Sequence, residues 1–286
     1  MKKQKPRWSW PEGKRVAIVA TAMLEVWSEG KAPTYSVQTT SLKPGQVDHN
    51  GIAWSRYGAE VGIWRLIRVL DRFKVKGTIA ASAICTELFP DAVAQIVKSG
   101  HEICGHCVWQ DQMFPDMSVD EQHKIIRQSL DMFEKATGTR PVGWKSPVAA
   151  FTPQTAGLLA REGILWHGDR KDLDLPCIVQ TSHGPLVAIP PSEYNDNRTL
   201  RGSPRNFYDA QKDTFDYLYR HEPGSLLNIT VHCHWGGRPP IMAMVSELYQ
   251  YFAQFPDVWF ASSADIAQWV KAQGMSSSSY RERYFS

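Results

Sequence analysis

The strongest constraint on the fold is a repeated alternation between short apolar segments and amphipathic segments of helical period. Residues 15–22 (RVAIVATA) are almost all small or β-branched, which is typical of a strand covered on both faces. In residues 57–73, Trp64, Ile67 and Leu70 recur at helical spacing on one face. Repetition of such units along the chain predicts an α/β fold with a mainly parallel sheet.

The same patterns place the later elements. Further strands are predicted at residues 77–81, 101–105, 143–146, 164–168, 186–189, 226–232 and 258–261. Further helices are predicted at residues 88–98, 118–137, 205–219, 240–255 and 263–273, with one more opening at Thr152-Pro153. Ser118 and Glu121 form a capping-box pattern, and Ser263 is predicted to cap the last helix.

The length of 286 residues, 43% of them hydrophobic, is sufficient for one large core. We expect a single catalytic domain over residues 1–286, with a core at about 14–272. Residues 1–13 are expected to form an N-terminal arm and residues 274–286 a polar tail, either poorly ordered or packed against another subunit. The long Gly-, Pro- and Ser-rich segment 23–54 has little periodicity and is expected to be a loop that covers the functional site.

Charge and cysteine content narrow the function class. A formal net charge of +3 is too small to indicate a nucleic-acid partner. The basic first residues run into Trp10 and Pro11 without the apolar segment of a secretory signal, and a membrane span of about 18 apolar residues is not found. Cys104 and Cys107 are not followed by a second pair at zinc-ribbon spacing. Together with the odd total of five cysteines, these features predict a cytoplasmic protein with reduced thiols.

Polar residues recur where predicted strands end. Each of them alone is more typical of a structural hydrogen-bonding group than of a catalyst. Because the carboxyl ends of parallel strands meet at one rim, their shared position predicts a site there. They are Glu25, His106, Lys145, His167, Asp169, His232 and His234.

Three motifs, in order, resemble those of the polysaccharide deacetylase superfamily: GHEICGHC at 100–107, GWKSP at 143–147 and ITVH at 229–232. Segments 54–66, 172–176, 193–196, 236–239 and 258–261 resemble the branch that contains cofactor-independent allantoinases and cyclic imide hydrolases. The resemblance covers about residues 14–270. It implies a distorted (β/α) barrel of about seven parallel strands and a hydrolase that acts on carbon–nitrogen bonds.

The resemblance also implies a metal triad, from which this chain departs. Met23 stands where metal-dependent members carry an aspartate, and Gln110 stands where they carry the second histidine ligand. A glutamine amide is a poor neutral ligand, so we expect no metal cofactor. Zinc bound by Glu25, His106 and one of the two histidines at 232 and 234 is the alternative.

Without a metal, amide hydrolysis needs a base, an acid and donors for the carbonyl oxygen. Glu25 is predicted to be the base or to position the water. His232 resembles the family histidine that protonates the leaving group, and imidazole suits this task. His106 and Gln110 are predicted to bind the substrate carbonyl or ureido groups.

A second set of residues is predicted to complete substrate binding. Lys145 is near the position of a family arginine and could stabilise negative charge, although lysine and arginine are not equivalent. The remaining predicted pocket residues are Trp109, Asp169, Asn195, Asp196 and His234. Asn195 and Asp196 are also a common turn pair.

The predicted function is hydrolysis of a carbon–nitrogen bond in a small linear or cyclic amide, such as an imide or an allantoin-like ureide. One alternative is a metal-dependent polysaccharide N-deacetylase. A second is an inactive barrel that acts as a binding module. The expected partners are a small-molecule substrate and further copies of the chain, as a dimer or tetramer.

Overall fold

A computed structural model describes residues 9–36, 42–43, 45–276 and 280–285. Within these ranges nine strands form one sheet, around which the helices pack. The strands are β1 (Val16–Leu24), β2 (Thr78–Ala81), β3 (Glu102–Gly105), β4 (Gly143–Trp144), β5 (Trp166–His167), β6 (Cys177–Thr181), β7 (Gly184–Ala188), β8 (Ser225–His232) and β9 (Val258–Ala261).

Ten α-helices are present in the described ranges. They are α1 (His49–Tyr57), α2 (Ile63–Arg72), α3 (Cys85–Leu88), α4 (Pro90–Lys98), α5 (Val119–Thr137), α6 (Thr155–Arg161), α7 (Pro204–His221), α8 (Pro239–Phe252), α9 (Ser263–Ala272) and α10 (Tyr280–Tyr284). In these same ranges, no helix has the length and apolar character needed to cross a membrane.

The sheet is built around β1, all nine residues of which are buried. The strand order is β6-β7-β5-β4-β3-β2-β1-β8, and β9 pairs with β1 along Val16–Val19, next to the part of β1 that pairs with β2. Every pairing is parallel except that of β6 with β7. The predicted barrel of parallel strands is therefore confirmed in the form of a mixed α/β half-barrel.

The gap between β7 and β8 is bridged by hydrogen bonds instead of a strand pairing. The backbone N–H of Asn228 in β8 donates to Ser192 Oγ at 3.0 Å, and the Ser192 N–H donates to the Asn228 carbonyl oxygen at 3.3 Å. The sheet therefore curves far enough to bring the segment after β7 next to β8. This curvature brings the carboxyl ends of distant strands to one rim.

The structure corrects several predicted elements. Residues 49–54, expected to be loop, belong to α1, which continues through a π-helical turn at Gly58–Gly62 into α2. The β6–β7 hairpin adds an antiparallel strand, β6, whose five residues are too short a segment to be identified from the sequence. Thr152 does not cap α6, which begins at Thr155; its hydroxyl donates to Gln122 Oε1 at 2.9 Å instead.

Helix capping is partly as predicted. The capping box of Ser118 and Glu121 is confirmed at the start of α5. The last helix, α9, is capped by Ser262 with Asp265 rather than by Ser263, whose backbone N–H donates to Thr78 Oγ1 at 2.8 Å.

Both ends of the described chain pack against the amino-terminal side of the sheet. Trp10, within the expected arm, is 1% exposed, and its Nε1 donates to the Ser225 carbonyl oxygen at 2.7 Å. In the tail, Tyr280 in α10 donates its hydroxyl to Glu222 Oε1 at 2.8 Å. Residues 1–8, 277–279 and 286 of the predicted arm and tail lie outside the described residues. The described parts of arm and tail thus pack on this chain's own core.

Candidate active site

A cavity of about 250 Å³ opens at the carboxyl ends of the strands. On the side of β1 and β8 it is lined by Glu25, Tyr35, Gln110, Thr230 and His232. On the side of β4, β5 and β7 it is lined by Lys145, Ser146, Asp169, Lys171 and Asn195. Six of the predicted site residues therefore line one small space, at the rim where the parallel strands end.

Glu25, the first residue after β1, is a buried carboxylate held between two histidines. Its Oε1 lies 3.6 Å from His106 Nε2, and its Oε2 lies 3.6 Å from His234 Nδ1. Burial by itself raises the pKa of Glu25, but attraction to His232 and to the two flanking histidines outweighs burial and lowers the pKa to about 2. Glu25 is thus ionised at neutral pH.

The two flanking histidines lie behind Glu25, outside the cavity lining formed by the described residues. His106 Nδ1 lies 2.6 Å from the Lys145 carbonyl oxygen, which can only accept, so this nitrogen carries the proton. His106 Nε2 is therefore a lone pair when the ring is neutral. Burial lowers the pKa of His234 to about 3, although Glu25 opposes that shift, and its Nε2 lies 3.2 Å from the Tyr35 hydroxyl.

His232 ends β8 and is held in place by Asp196. The Asp196 side chain, 0% exposed, accepts from His232 Nδ1 at 2.6 Å and from the His232 backbone N–H at 2.8 Å. Burial would lower the pKa of His232, but attraction to Asp196 and Glu25 and the Asp196 hydrogen bond raise it to about 9. His232 is thus an imidazolium at neutral pH, and its Nε2 is left for a ligand.

The segment after β1 contributes to the cavity through Tyr35, in agreement with the prediction that residues 23–54 cover the site. Burial, together with the nearby Glu25 and Asp196 carboxylates, raises the pKa of the Tyr35 hydroxyl, so it stays protonated as a hydrogen-bond donor. Trp27 and Trp54 stack edge-on against His234, at ring-centre distances of 5.5 and 4.9 Å. Aromatic rings therefore pack around His234, the histidine that contacts Glu25 Oε2.

On the opposite side of the cavity, Asp169 holds the segment that follows β4. Its two oxygens accept from the Ser146 backbone N–H and from Ser146 Oγ, both at 2.8 Å. Burial raises the pKa of Asp169, but its interaction with His167, whose Nδ1 lies 3.9 Å away, and its hydrogen bonds with Ser146 lower it overall. Asp169 is therefore an ionised anchor for this wall.

The loop after β3 brings Gln110, and not Trp109, to the cavity. The backbone turns at Cys107, which has a left-handed φ of 55°, and the Gln110 N–H donates to the Val26 carbonyl oxygen at 2.8 Å. Trp109 lies outside the lining that the described residues form, and its N–H donates to Gln112 Oε1 at 3.0 Å. The prediction for Trp109 is thus not supported by its position.

Two contributions are not visible in the sequence. Asp196 reads as part of an Asn-Asp turn, and its pairing with His232 depends on β8 lying beside the loop after β7. Tyr35 lies in an aperiodic segment with nothing to distinguish it from other loop aromatics. For Asp196, the sequence contained one indication of a role in the site: residues 193–196 resemble the allantoinase branch. For Tyr35 it contained none.

The residues present do not fit a metal centre. Over the described ranges, no group of three or more His, Cys, Asp or Glu side chains is arranged so that it could hold a metal ion. At the two departures from the family triad, Met23 contributes a thioether to the cavity and Gln110 a neutral amide. The donor set is that of an acid–base site: an ionised carboxylate and an imidazolium, with hydrogen-bonding groups around them.

The chain is thus an α/β half-barrel with a cluster of acid–base side chains at the carboxyl rim of its sheet. Residues 57–165 match the polysaccharide deacetylase family. This segment is thus similar to polysaccharide deacetylases, and the deacetylases and the allantoinase that the chain resembles are hydrolases that act on carbon–nitrogen bonds.

Individual relatives agree with this assignment. A peptidoglycan deacetylase of Helicobacter pylori is 23% identical over 262 residues, which cover 78% of this chain and 88% of the relative. A probable polysaccharide deacetylase from Pseudomonas aeruginosa PAO1 superposes with a TM-score of 0.84 at 28% identity, covering 96% of this chain and 97% of that one. The PuuE allantoinase structure superposes with a TM-score of 0.84 at 27% identity, covering 96% of each chain.

Proposed function

We propose that the chain hydrolyses a carbon–nitrogen bond in a small linear or cyclic amide, such as an imide or ureide, with water as the nucleophile. The observation that carries this proposal is the pairing of an ionised Glu25 with a protonated His232 on one wall of a cavity of about 250 Å³. A space of this size is below the usual range for drug-sized ligands and suits a single small ring. The likeness to an allantoinase supports the same substrate class.

Activation of water is assigned to Glu25. Its ionised carboxylate lines the cavity, so it can accept a hydrogen bond from a water molecule bound there. As the water oxygen bonds to the substrate carbonyl carbon, Glu25 takes up the released proton. His106, whose Nε2 lies 3.6 Å from Glu25 Oε1, positions the carboxylate from behind.

Departure of the nitrogen is assigned to His232. Its Nε2 donates a proton to the leaving nitrogen as the carbon–nitrogen bond breaks, and Asp196 holds the ring in the required orientation. Gln110 and Tyr35 supply hydrogen bonds to the substrate carbonyl groups. No metal ion takes part in this proposed mechanism.

A second candidate is N-deacetylation of an acetylated sugar, which the description of the Helicobacter pylori relative favours. A chelation experiment on the purified full chain separates the two. Succinimide, hydantoin, allantoin and a chitin tetrasaccharide are incubated with the enzyme before and after EDTA treatment, and products are identified by mass spectrometry. We expect turnover of a small cyclic substrate that survives EDTA.

Two other results would contradict the proposal. Release of acetate from the tetrasaccharide that stops with EDTA would establish the deacetylase. A rise in melting temperature with a ligand, without turnover of any compound, would support an inactive binding module. The matched variant Glu25→Gln keeps the side-chain shape and is expected to lower kcat at least about 100-fold; wild-type turnover in this variant would remove Glu25 from the mechanism.

A further inference from the structure

Lys145 is a buried cation that lines the cavity without a partner of its own. It is 7% exposed. In the described part of the chain, no Asp or Glu oxygen lies within 4.0 Å of its Nζ, and Nζ donates no hydrogen bond. Lys171, which lines the same side of the cavity, differs in being half exposed and 3.6 Å from Glu193. A buried, unpaired ammonium is costly unless a ligand supplies the missing negative charge.

Nearby protein groups do not supply that charge by direct contact. Asp169 shares this side of the cavity, but its two oxygens already accept hydrogen bonds from Ser146. Burial lowers the pKa of the Lys145 ammonium, and attraction to Asp169 opposes that shift only in part. Lys145 Nζ therefore lies at the cavity without a carboxylate of the described residues in direct contact, and an anionic ligand there would favour its charged form.

The local backbone is built to hold the Lys145 side chain in this position. Its backbone N–H donates to the Gly105 carbonyl oxygen at 3.0 Å, and its own carbonyl accepts from His106. A Cβ placed on Gly168 would lie 2.8 Å from Lys145 Cγ and 2.9 Å from Nζ, so only a glycine leaves room for the side chain to cross there. The side chain is thus fixed across Gly168 and cannot swing freely into solvent.

We propose that the part of the cavity around Lys145 is a carboxylate subsite, so that the substrate is an anionic amide: a small amide, imide or ureide that carries a carboxylate beside the scissile bond. This inference rests on the proposed function. Glu25 and His232 act on the carbon–nitrogen bond at one side of the cavity, while Lys145 binds the carboxylate at the other. Lys171 at the same side adds longer-range attraction for anions.

A matched pair of compounds tests the subsite. 5-(Carboxymethyl)hydantoin and its carboxamide analogue have the same ring and nearly the same volume but differ in charge. The wild-type enzyme is expected to favour the carboxylate in kcat/KM by at least about tenfold, as a charge-assisted hydrogen bond implies. Lys145→Met is expected to abolish this preference, because it lowers kcat/KM for the carboxylate by a larger factor than for the carboxamide.

The control variant is Lys135→Met, which removes an exposed lysine at the end of α5 and is expected to keep the preference. If Lys145→Met does not fold, as judged by circular dichroism, Lys145→Arg replaces it. Arg retains the charge but places it differently on a longer, planar side chain, so the preference is expected to fall without vanishing. A wild-type enzyme with no preference overturns the subsite, whether or not the variants fold.

Failure of the subsite and failure of the proposed function give different results. Equal losses on both compounds in Lys145→Met would mean that Lys145 acts at the reacting carbonyl; this overturns the subsite and leaves the proposed function intact. If wild type hydrolyses neither compound and none of succinimide, hydantoin and allantoin, the proposed function fails, and calorimetry with the two matched compounds still tests the subsite. Tighter binding of the carboxylate, lost in Lys145→Met, supports it; equal binding overturns it.

Discussion

At the scale of single residues, the chemistry of the site depends on which groups are charged. Glu25 is deeply buried, yet its carboxylate stays ionised because three imidazoles surround it. His232 is less buried than Glu25 and gains a proton because Asp196 and Glu25 are both anionic. The opposite shifts of these two pKa values separate an acid from a base within one cavity.

This separation predicts a broad pH range of activity. Glu25 must be ionised, which holds above pH 2, and His232 must be protonated, which holds below pH 9. In Asp196→Asn the main group that raises the pKa of His232 loses its charge, so the alkaline limb of kcat/KM is expected to move to lower pH by at least about 1 pH unit. The full pH profile of kcat/KM measures this shift.

The outcome that would contradict this assignment is specific. An alkaline limb at the same pH in wild type and Asp196→Asn, with a uniformly lower kcat, would mean that Asp196 only orients the ring. Asp257→Asn is a suitable control, because this carboxylate accepts from Tyr219 far along the chain from the site and is expected to leave the profile unchanged.

At the scale of elements, the π-helical turn at Gly58–Gly62 fits the α1–α2 pair against the turn that follows β8. A Cβ on Gly62 would overlap the Cys233 carbonyl oxygen, and one on Gly58 would lie 2.8 Å from the His234 backbone nitrogen. π-Helical turns are often found beside functional sites. Here the turn lets the helix pass close to the backbone at Cys233, and this contact holds His232 and His234 in place.

Gly62→Ala is therefore expected to reduce stability and activity together. Overpacking of this kind costs about 1–3 kcal/mol, and relief of the overlap would displace the turn that carries His234. Urea unfolding and kcat measure the two effects. Gly202→Ala is the matched control, since the nearest atom to its added Cβ is Asn206 Nδ2 at 3.6 Å. Equal behaviour of the two variants would contradict the argument.

The end of α2 carries stored backbone strain. Lys74 has a φ of 57°, a left-handed conformation that costs an L-residue about 1–2 kcal/mol. Lys74→Gly removes this strain but makes the unfolded chain more flexible, so we expect a net gain of about 0.5–1 kcal/mol in the free energy of unfolding. Urea unfolding at unchanged m-value tests the gain. Lys74→Ala, which keeps the strain, should show no such gain.

At the scale of the whole molecule, the half-barrel is closed at its amino-terminal side by the arm. Trp10 packs against Trp259 of β9 at a ring-centre distance of 5.5 Å and bonds to the first residue of β8. Trp10→Ala is expected to lower the free energy of unfolding by about 3–5 kcal/mol, measured by urea unfolding. Trp64→Ala, which removes a tryptophan that is 39% exposed, should cost about 1 kcal/mol or less.

Comparable losses in the two tryptophan variants would show that the arm does not stabilise the sheet.

The expected assembly into a dimer or tetramer and the cytoplasmic location stay predictions. Sedimentation of the full chain and fractionation of its host cells are the respective measurements.

The sequence by itself determined the class of fold, because hydrophobic period is a local property: β1 and α5 are visible in it with their ends nearly correct. It also placed Glu25 and His232 at strand ends, which a parallel sheet must bring to one rim. The sequence predicts the strand at 186–189, which overlaps β7, but it does not predict β6 and α1, because such short segments gain their structure from neighbours distant in sequence. Only the tertiary structure decided that Asp196 raises the pKa of His232 and that, among the described residues, Lys145 Nζ has no carboxylate within ion-pair distance. Both follow from how the sheet curves.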